Sequence, residues 1–384
     1  MADAVKRDRL PWHDGGTWLV GDPHCHYRLV GMDQLVARAA DRLDFMGLTE
    51  HGHMSDAFSA QAALVEKARH SHPGLVLING VQWEAPIGDS ITVLAPGGLA
   101  TMPVLLELLK RFDGRVAGIK ETQENLLAAL RFLSEHAVSG VPPAAIVQHP
   151  HGDRGYGADR LREALDAGAA LAGFAVSSAN RHDSPGGGIL LPWLTDIGGV
   201  LDMLFAEGRR LVMTADSDFH SPEGGGVWGQ TKFWPGEYRR THLFCPEKTE
   251  AGVFAGLRSG ACYVVVGNLV SDFDFHVSAG DRTAMLGERL ETRAGTSVTV
   301  TTRLVRTGKI ESLQLIGNPG GKARVLAEAR GDALLEEDGV VTWSVELEAG
   351  PGTWFVRVMG RGEAADPAGV PAALATAAVW VNGS

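Results

Sequence analysis

TWLVGDPHCH, residues 17–26, begins as an apolar strand and ends in two histidines that are two positions apart. Side chains at positions i and i+2 of a strand face the same side, so His24 and His26 can reach one ion. Cys25 then faces the opposite side, where we expect it to pack as a small hydrophobic residue. The stretch predicts a buried strand whose carboxyl end carries part of a metal site.

Two later segments repeat this arrangement. Thr-Glu-His at residues 49–51 and Ser-Asp-Phe-His at residues 217–220 each follow an apolar run. Imidazole and carboxylate groups are ligands of zinc, manganese and iron. The carboxyl ends of strands in a parallel α/β fold converge on one mouth. The three segments together therefore predict a single metal centre.

The composition is that of an ordinary globular protein. The chain has 384 residues, a length that suggests two or three domains, with 45% hydrophobic and 21% charged residues. A net charge of −11 and the lack of a basic run argue against nucleic acid, and no apolar stretch is long enough to span a membrane. Three cysteines without CxxC spacing and an N-terminus without a signal peptide favour a cytoplasmic protein.

The hydrophobic pattern changes along the chain. Up to about residue 260, short apolar strands alternate with amphipathic helices, which favours a barrel or an open doubly wound sheet of parallel strands. Beyond residue 263, short runs of alternating polarity separated by Gly, Asp, Asn and Pro are typical of an antiparallel β-sandwich. We expect two domains, residues 1–265 and residues 266–384.

The motifs resemble those of the PHP family, named for polymerase and histidinol phosphatase. Its Asp-x-His-x-His opening, second-strand His, His-Pro pair and closing Ser-Asp-x-His match residues 22–26, 50–51, 149–150 and 217–220. Residues 256–261 resemble the stretch that precedes a small β domain in PHP hydrolases of the CehA/McbA type. The resemblance implies an α/β fold: a distorted, TIM-like (β/α)7 PHP-type barrel followed by a small all-β, sandwich-like domain.

The resemblance also implies one to three divalent transition-metal ions per chain, zinc, manganese or iron. Their ligands would be His24, His26, His51, Glu84, His149, Asp218 and His220.

The chain departs from the family pattern in the middle of the site. Gln82 occupies the slot of the family's bridging Glu, and Glu84 follows on the same strand face. Asp89 stands where a His is expected, and Asp33 is the acid nearest to the opening motif. Either Gln82 or Glu84 faces the metals, and Asp89 and Asp33 are further candidate ligands.

Other polar residues near the motifs are candidates for supporting roles. Glu50 is expected to orient His51 and Asp22 to orient His24, and Asp22 serves equally well as a strand-end cap. His151 and His182 are candidate proton donors to a leaving group, with solvated loop histidines as the alternative. Three arginines are candidates to bind a substrate phosphate: Arg28, Arg154 and Arg181. The alternative is that they form ion pairs with nearby acids.

The metal-ligand residues predict a metal-dependent hydrolase. The PHP resemblance implies that it is a phosphoesterase, which would attack a small-molecule phosphoester with a metal-activated hydroxide. The first alternative is a carbamate, ester or amide hydrolase with the same site. The second is a non-catalytic PHP-fold binding or scaffolding protein, which Gln82 suggests. The expected partner is a small-molecule substrate, without nucleic acid or membrane, and assembly into a homo-oligomer is left open.

Overall fold

The computed structural model describes residues 15–86, 89–138, 140–148, 157–177, 190–222, 233–337, 339–363 and 371–384. Within these ranges, 42% of the residues are in strands and 26% in helices. The protein is therefore mainly a β structure, with helices packed against its larger sheet.

Nine strands lie in the described residues of the N-terminal two-thirds of the chain. Several of them are buried along their whole length, as expected for strands that are covered on both faces. The strands are β1 (Thr17–Cys25), β2 (Phe45–Leu48), β3 (Val76–Ala85), β4 (Asp89–Ala95), β5 (Ala144–Val147), β6 (Leu171–Ser177), β7 (Val212–Ala215), β8 (Arg239–Cys245) and β9 (Cys262–Val266).

The helices lie between these strands in the chain. In α1, the buried residues Met32, Leu35, Val36 and Ala39 follow the spacing of one helix face. No helix in the described ranges has the length and apolar character needed to cross a bilayer. The helices are α1 (Met32–Ala39), α2 (Ser55–Ser71), α3 (Met102–Phe112), α4 (Gln123–Glu135), α5 (Ala158–Asp166), α6 (Pro192–Thr195), α7 (Val200–Ala206) and α8 (Glu250–Ser259).

The last third of the described chain consists of strands and one short 3-10 turn, Gly331–Ala333. Some of its strands, such as β13, alternate buried and less buried positions, because one face packs on a core. Others, such as β18, have long buried runs. They are β10 (Val270–Ala279), β11 (Arg282–Met285), β12 (Arg289–Thr292), β13 (Ser297–Arg306), β14 (Lys309–Gly317), β15 (Arg324–Ala329), β16 (Leu335–Glu337), β17 (Val340–Glu348), β18 (Gly352–Glu363), β19 (Pro371–Thr376) and β20 (Val379–Gly383).

One mixed sheet runs through both parts of the chain. Its strand order is β12-β20-β18-β19-β9-β8-β1-β2-β3-β4-β5-β6-β7, and β14 and β15 join it at β18. The β1–β2–β3 and β5–β6–β7 neighbours are parallel, whereas β3–β4, β4–β5, β1–β8 and β8–β9 are antiparallel. A second sheet has the order β11-β10-β13-β17-β16.

The predicted (β/α)7 barrel followed by a small all-β domain is wrong. β3 and β4 pair antiparallel and are only three residues apart in the chain, whereas parallel barrel strands need a long crossover. The C-terminal strands also do not form a separate sandwich, because β19 pairs with β9 inside the large sheet. The apolar pattern located strands but carried no information on their direction or partners. The domain boundary at residue 265 stays a prediction.

Buried polar contacts connect the C-terminal strands to the helices. Arg357 on β18 donates from Nε to Asp202 Oδ1 of α7 at 2.5 Å and from a terminal nitrogen to the Thr195 carbonyl at 2.8 Å. The indole nitrogen of Trp380 donates to the Phe205 carbonyl at 2.7 Å. These contacts hold α7 against the C-terminal strands.

The segment after β7 returns to the end of β1. Phe219 forms a parallel bridge with Cys25, and its carbonyl accepts a hydrogen bond from His26 N at 2.8 Å. The Asp22 carboxylate accepts from Ser217 N at 3.2 Å. These backbone contacts bring the polar residues after β1 and β7 to one place.

Candidate metal centre

Two imidazoles and a carboxylate meet at the end of β1, all three buried. The Nε2 atoms of His24 and His26 are 3.1 Å apart and lie 2.9 and 3.2 Å from Asp218 Oδ1. Ligand atoms bound about 2.0 Å from one ion are separated by about 2.8–3.3 Å in octahedral or tetrahedral geometry. The three distances therefore fit the edges of a metal coordination shell.

Hydrogen bonds at the other ring nitrogens show where the lone pairs point. His26 Nδ1 lies 3.2 Å from Glu50 Oε1, and because a carboxylate only accepts, this nitrogen carries the proton. His24 Nδ1 contacts the Thr92 hydroxyl, which can accept in the same way. The Nε2 lone pair of His26 therefore faces His24 and Asp218. Metal-binding histidines typically have this arrangement, with the second nitrogen donating to an acceptor.

A second pair of imidazoles lies beside the first group. The Nε2 atoms of His51 and His220 are 3.3 Å apart, and His220 Nδ1 donates to the Asp218 carbonyl at 2.8 Å. Both rings stack on His26, with centroid distances of 4.5 Å for His51 and 4.0 Å for His220. His26, His51 and His220 each offer a nitrogen within 4.8 Å of the others. The pair can hold a neighbouring ion.

The carboxylates draw positive charge into this cluster. Burial alone would lower the pKa of His26, but hydrogen bonds to Asp218 and Glu50 outweigh burial and raise the pKa to about 9. Burial and the charge on His26 lower the pKa of His51 and of His220. The cluster thus favours positive charge at its centre, on His26, which a bound cation would supply in place of the proton on Nε2. It keeps the two outer imidazoles neutral, as metal ligation requires.

The two acids predicted to support the ligands have different contacts. Glu50 holds the ring of His26, whereas its contact with His51 is to the backbone N–H, at 3.2 Å. Asp22 accepts from the backbone N–H groups of Ser217 and His24, so it acts on the chain rather than on an imidazole ring. Burial raises the pKa of Asp22 to about 6 against these hydrogen bonds.

β3 and β4 place polar side chains next to the histidines. Gln82 lies opposite Thr92 and Glu84 opposite Ser90, so all four side chains share one face of the hairpin. Gln82 bridges to His51 through the backbone, and its buried Oε1 has no hydrogen-bond partner among the described residues. Glu84 lies nearer the surface, with 20% of its side chain exposed. The structure thus places Gln82 in the interior and Glu84 at the rim.

A cleft opens above the histidines. Arg28 reaches over it and donates to the Met54 sulfur at 3.0 Å, while its backbone N–H donates to Glu50 Oε2 at 3.2 Å. The residues that line the cleft are His26, Arg28, Leu29, Glu50, His51, Met54 and His220.

Among the described residues, one predicted ligand lies away from this cluster. Asp33 lies on α1 with 76% of its side chain exposed and pairs with Lys67 at 3.2 Å, so the structure does not bring it to the histidines. The remaining predictions fall outside the described residues: His149, His151, Arg154, Arg181, His182 and the side chain of Asp89.

Sequence reasoning missed two residues at the site. Thr92 contacts the ring of His24, and the polar Ser90 and Thr92 alternating with Ile91 and Val93 are the signal that would have found it. Arg115, after α3, contacts His53 and Glu84 at the rim. No motif surrounds Arg115, so only the folded chain reveals its position.

Comparisons with known proteins identify no family. No family model matches the chain, and no curated protein matches it. A chitin-binding domain from Burkholderia pseudomallei shares 15% identity over 25% of this chain and 57% of its own length, with a TM-score of 0.19. The putative ApaA protein from Bordetella pertussis has 14% sequence identity over 30% of this chain and 97% of its own length, with a TM-score of 0.20. A Niemann-Pick type C2 protein from the Japanese carpenter ant has 10% sequence identity over 30% of this chain and 96% of its own length, with a TM-score of 0.20. Scores this low carry no argument, and the PHP resemblance stays a prediction.

Proposed function

We propose that the protein is a metal-dependent hydrolase that acts on a small-molecule phosphoester. The observation that carries the proposal is the convergence of two imidazole nitrogens and a carboxylate oxygen within 2.9–3.2 Å of one another, in a buried cluster. A divalent ion bound there would polarise a phosphoryl oxygen and activate water as the nucleophile.

The surrounding residues support this reaction. Glu50 fixes the ring of His26 through Nδ1, and the Asp218 carbonyl fixes His220 in the same way. Arg28 lies in the cleft wall, where its guanidinium can bind the anionic oxygens of a phosphoester. The positive side chain at the cleft favours a phosphoester over a neutral ester, amide or carbamate.

Metal analysis of Asp218→Asn tests the proposal. Purified wild-type protein should hold at least one zinc, manganese or iron ion per chain, measured by mass spectrometry of the metal. Asn fits the same backbone conformation but lacks the charge, so the variant should bind the ion at least about 100-fold more weakly. Asp33→Asn, an exposed acid remote from the cluster, is the matched control and should behave as wild type.

Activity is then measured on p-nitrophenyl phosphate, a phosphodiester, an acetate and a carbamate, with added Mn²⁺ or Zn²⁺. Phosphoester hydrolysis that falls in Asp218→Asn and not in Asp33→Asn supports the proposal. A wild-type protein that retains no ion would refute it. If the protein hydrolyses only the carbamate or the acetate, the substrate is a carbamate or ester and not a phosphoester.

A further inference from the structure

Arg115 lies at the rim of the site, where contacts with neighbouring residues fix its position. Its terminal nitrogens lie 3.1 Å from His53 Nε2 and 3.3 Å from Glu84 Oε1. The buried Asp113 carboxylate accepts from the backbone N–H groups of Arg115 and Val116 at 2.8 Å and of Glu84 at 3.1 Å. One carboxylate thus sets the backbone of both Arg115 and Glu84.

The two residues that Arg115 contacts, His53 and Glu84, belong to a group of possible metal ligands. His51, His53 and Glu84 each offer one ligand atom within 4.8 Å of the others. His53 Nδ1 is buried, lies 4.0 Å from Glu84 Oε1, and has no hydrogen-bond partner among the described residues. The group therefore has donor atoms suited to a cation, next to the predicted metal centre.

Arg115 determines which nitrogen of His53 carries the proton. A guanidinium only donates hydrogen bonds, so His53 Nε2 must accept from it. In a neutral imidazole the proton then sits on Nδ1, facing Glu84. Neither nitrogen has a lone pair left for a metal ion: one is engaged by Arg115 and the other is protonated.

His26 and His220 show the opposite arrangement. Their Nδ1 atoms face acceptors, Glu50 Oε1 and the Asp218 carbonyl, which leaves Nε2 as the ligand atom. His53 thus faces a hydrogen-bond donor at one ring nitrogen, whereas His26 and His220 each face an acceptor. Of these three histidines, only His26 and His220 keep a nitrogen free to bind a metal ion.

We propose that Arg115 excludes a metal ion from the group formed by His51, His53 and Glu84, and that its guanidinium is the cation of this group. The proposal rests on the proposed function, since it assumes that His51 lies beside a loaded metal centre. The site then combines metal ions at the buried histidines with a fixed organic cation at the rim.

Arg115→Met tests the inference, because Met fills similar space without a donor. His53 can then carry its proton on Nε2 and offer Nδ1, together with Glu84, to an ion. We expect the variant to bind one more Zn²⁺ or Mn²⁺ per chain than wild type, counted by metal mass spectrometry and calorimetric titration of the full chain. About half of the Arg115 side chain is exposed, 48%, so folding should be preserved; Arg115→Ala is the second variant.

Two controls make the ion count specific. Arg115→Lys keeps a donor and a positive charge and should keep the wild-type count. The double change Arg115→Met with His53→Ala should lose the additional ion. A wild-type count in folded Arg115→Met and Arg115→Ala would overturn this inference and leave the proposed function intact, whereas a wild-type protein without any ion would remove both.

Discussion

Asp218, a predicted metal ligand, has an unusual backbone conformation. Its φ angle is 45°, in the left-handed region that few residues other than glycine adopt. Such a conformation costs on the order of 1 kcal/mol or more, and Asp tolerates it better than most residues. The contacts of Ser217 and Phe219 with β1 hold it in place. Strain of this kind is often found at functional sites.

A buried carboxyl group outside the site should make stability depend on pH. Burial raises the pKa of Asp274 on β10 to about 8 from an ordinary value of 3.8. Its Oδ1 accepts from Phe275 N at 2.9 Å, and Oδ2 has no hydrogen-bond partner among the described residues. The folded state therefore holds a proton that the unfolded chain releases above about pH 4.

We expect Asp274→Asn to stabilise the protein relative to wild type by about 5 kcal/mol more at pH 8 than at pH 4. The raised pKa means that wild-type stability is fully present below about pH 4 and is lost as the pH rises towards 8. Urea denaturation of both proteins at the two pH values measures the difference. Asp281→Asn, at an exposed position, is the control; equal effects of the two variants would contradict the prediction.

At the scale of elements, the contact of β2 with β1 depends on a glycine. A Cβ at Gly47 would lie 2.2 Å from the Pro23 carbonyl and 2.7 Å from Leu94. Real Cβ atoms do not approach backbone this closely, so β2 would have to move away from the strand that carries His24.

We expect Gly47→Ala to destabilise the protein by about 2 kcal/mol or more and to weaken metal binding. Gly74 is the matched site, because a Cβ there would meet nothing within 4 Å, and Gly74→Ala should change stability by less than about 0.5 kcal/mol. Thermal unfolding and metal titration of the two variants measure both effects. A Gly47→Ala protein as stable as Gly74→Ala would show that β2 adjusts without penalty.

Elements could be predicted better than their arrangement. The apolar run before each motif located β1, β2 and β7, and the structure brings His24, His26, His51, Asp218 and His220 together. Strand direction was not predictable, since periodicity does not distinguish the antiparallel β3–β4 pair from a parallel one. Arg115 was not predictable either, because its contacts are made by residues 31 and 62 positions away.

At the scale of the whole molecule, one buried ion pair joins the two parts of the chain. Arg357 and Asp202 each expose 1% of their side chain. We expect Arg357→Met to cost about 3–5 kcal/mol, because it leaves Asp202 buried without its partner. The double variant with Asp202→Leu should recover most of this loss. Urea denaturation gives the free energies, and a double variant no more stable than Arg357→Met would rule out the ion pair as the cause.

The central position of β9 has a consequence for any shortened form of the protein. Its residues CYVVV are all buried, between β8 on one side and β19 on the other. A chain ending at residue 266 would leave β9 as an open edge strand, with unpaired N–H and C=O groups on an apolar segment. Such edges pair with other copies and aggregate. The C-terminal strands therefore protect the N-terminal part from self-association as well as extending its sheet.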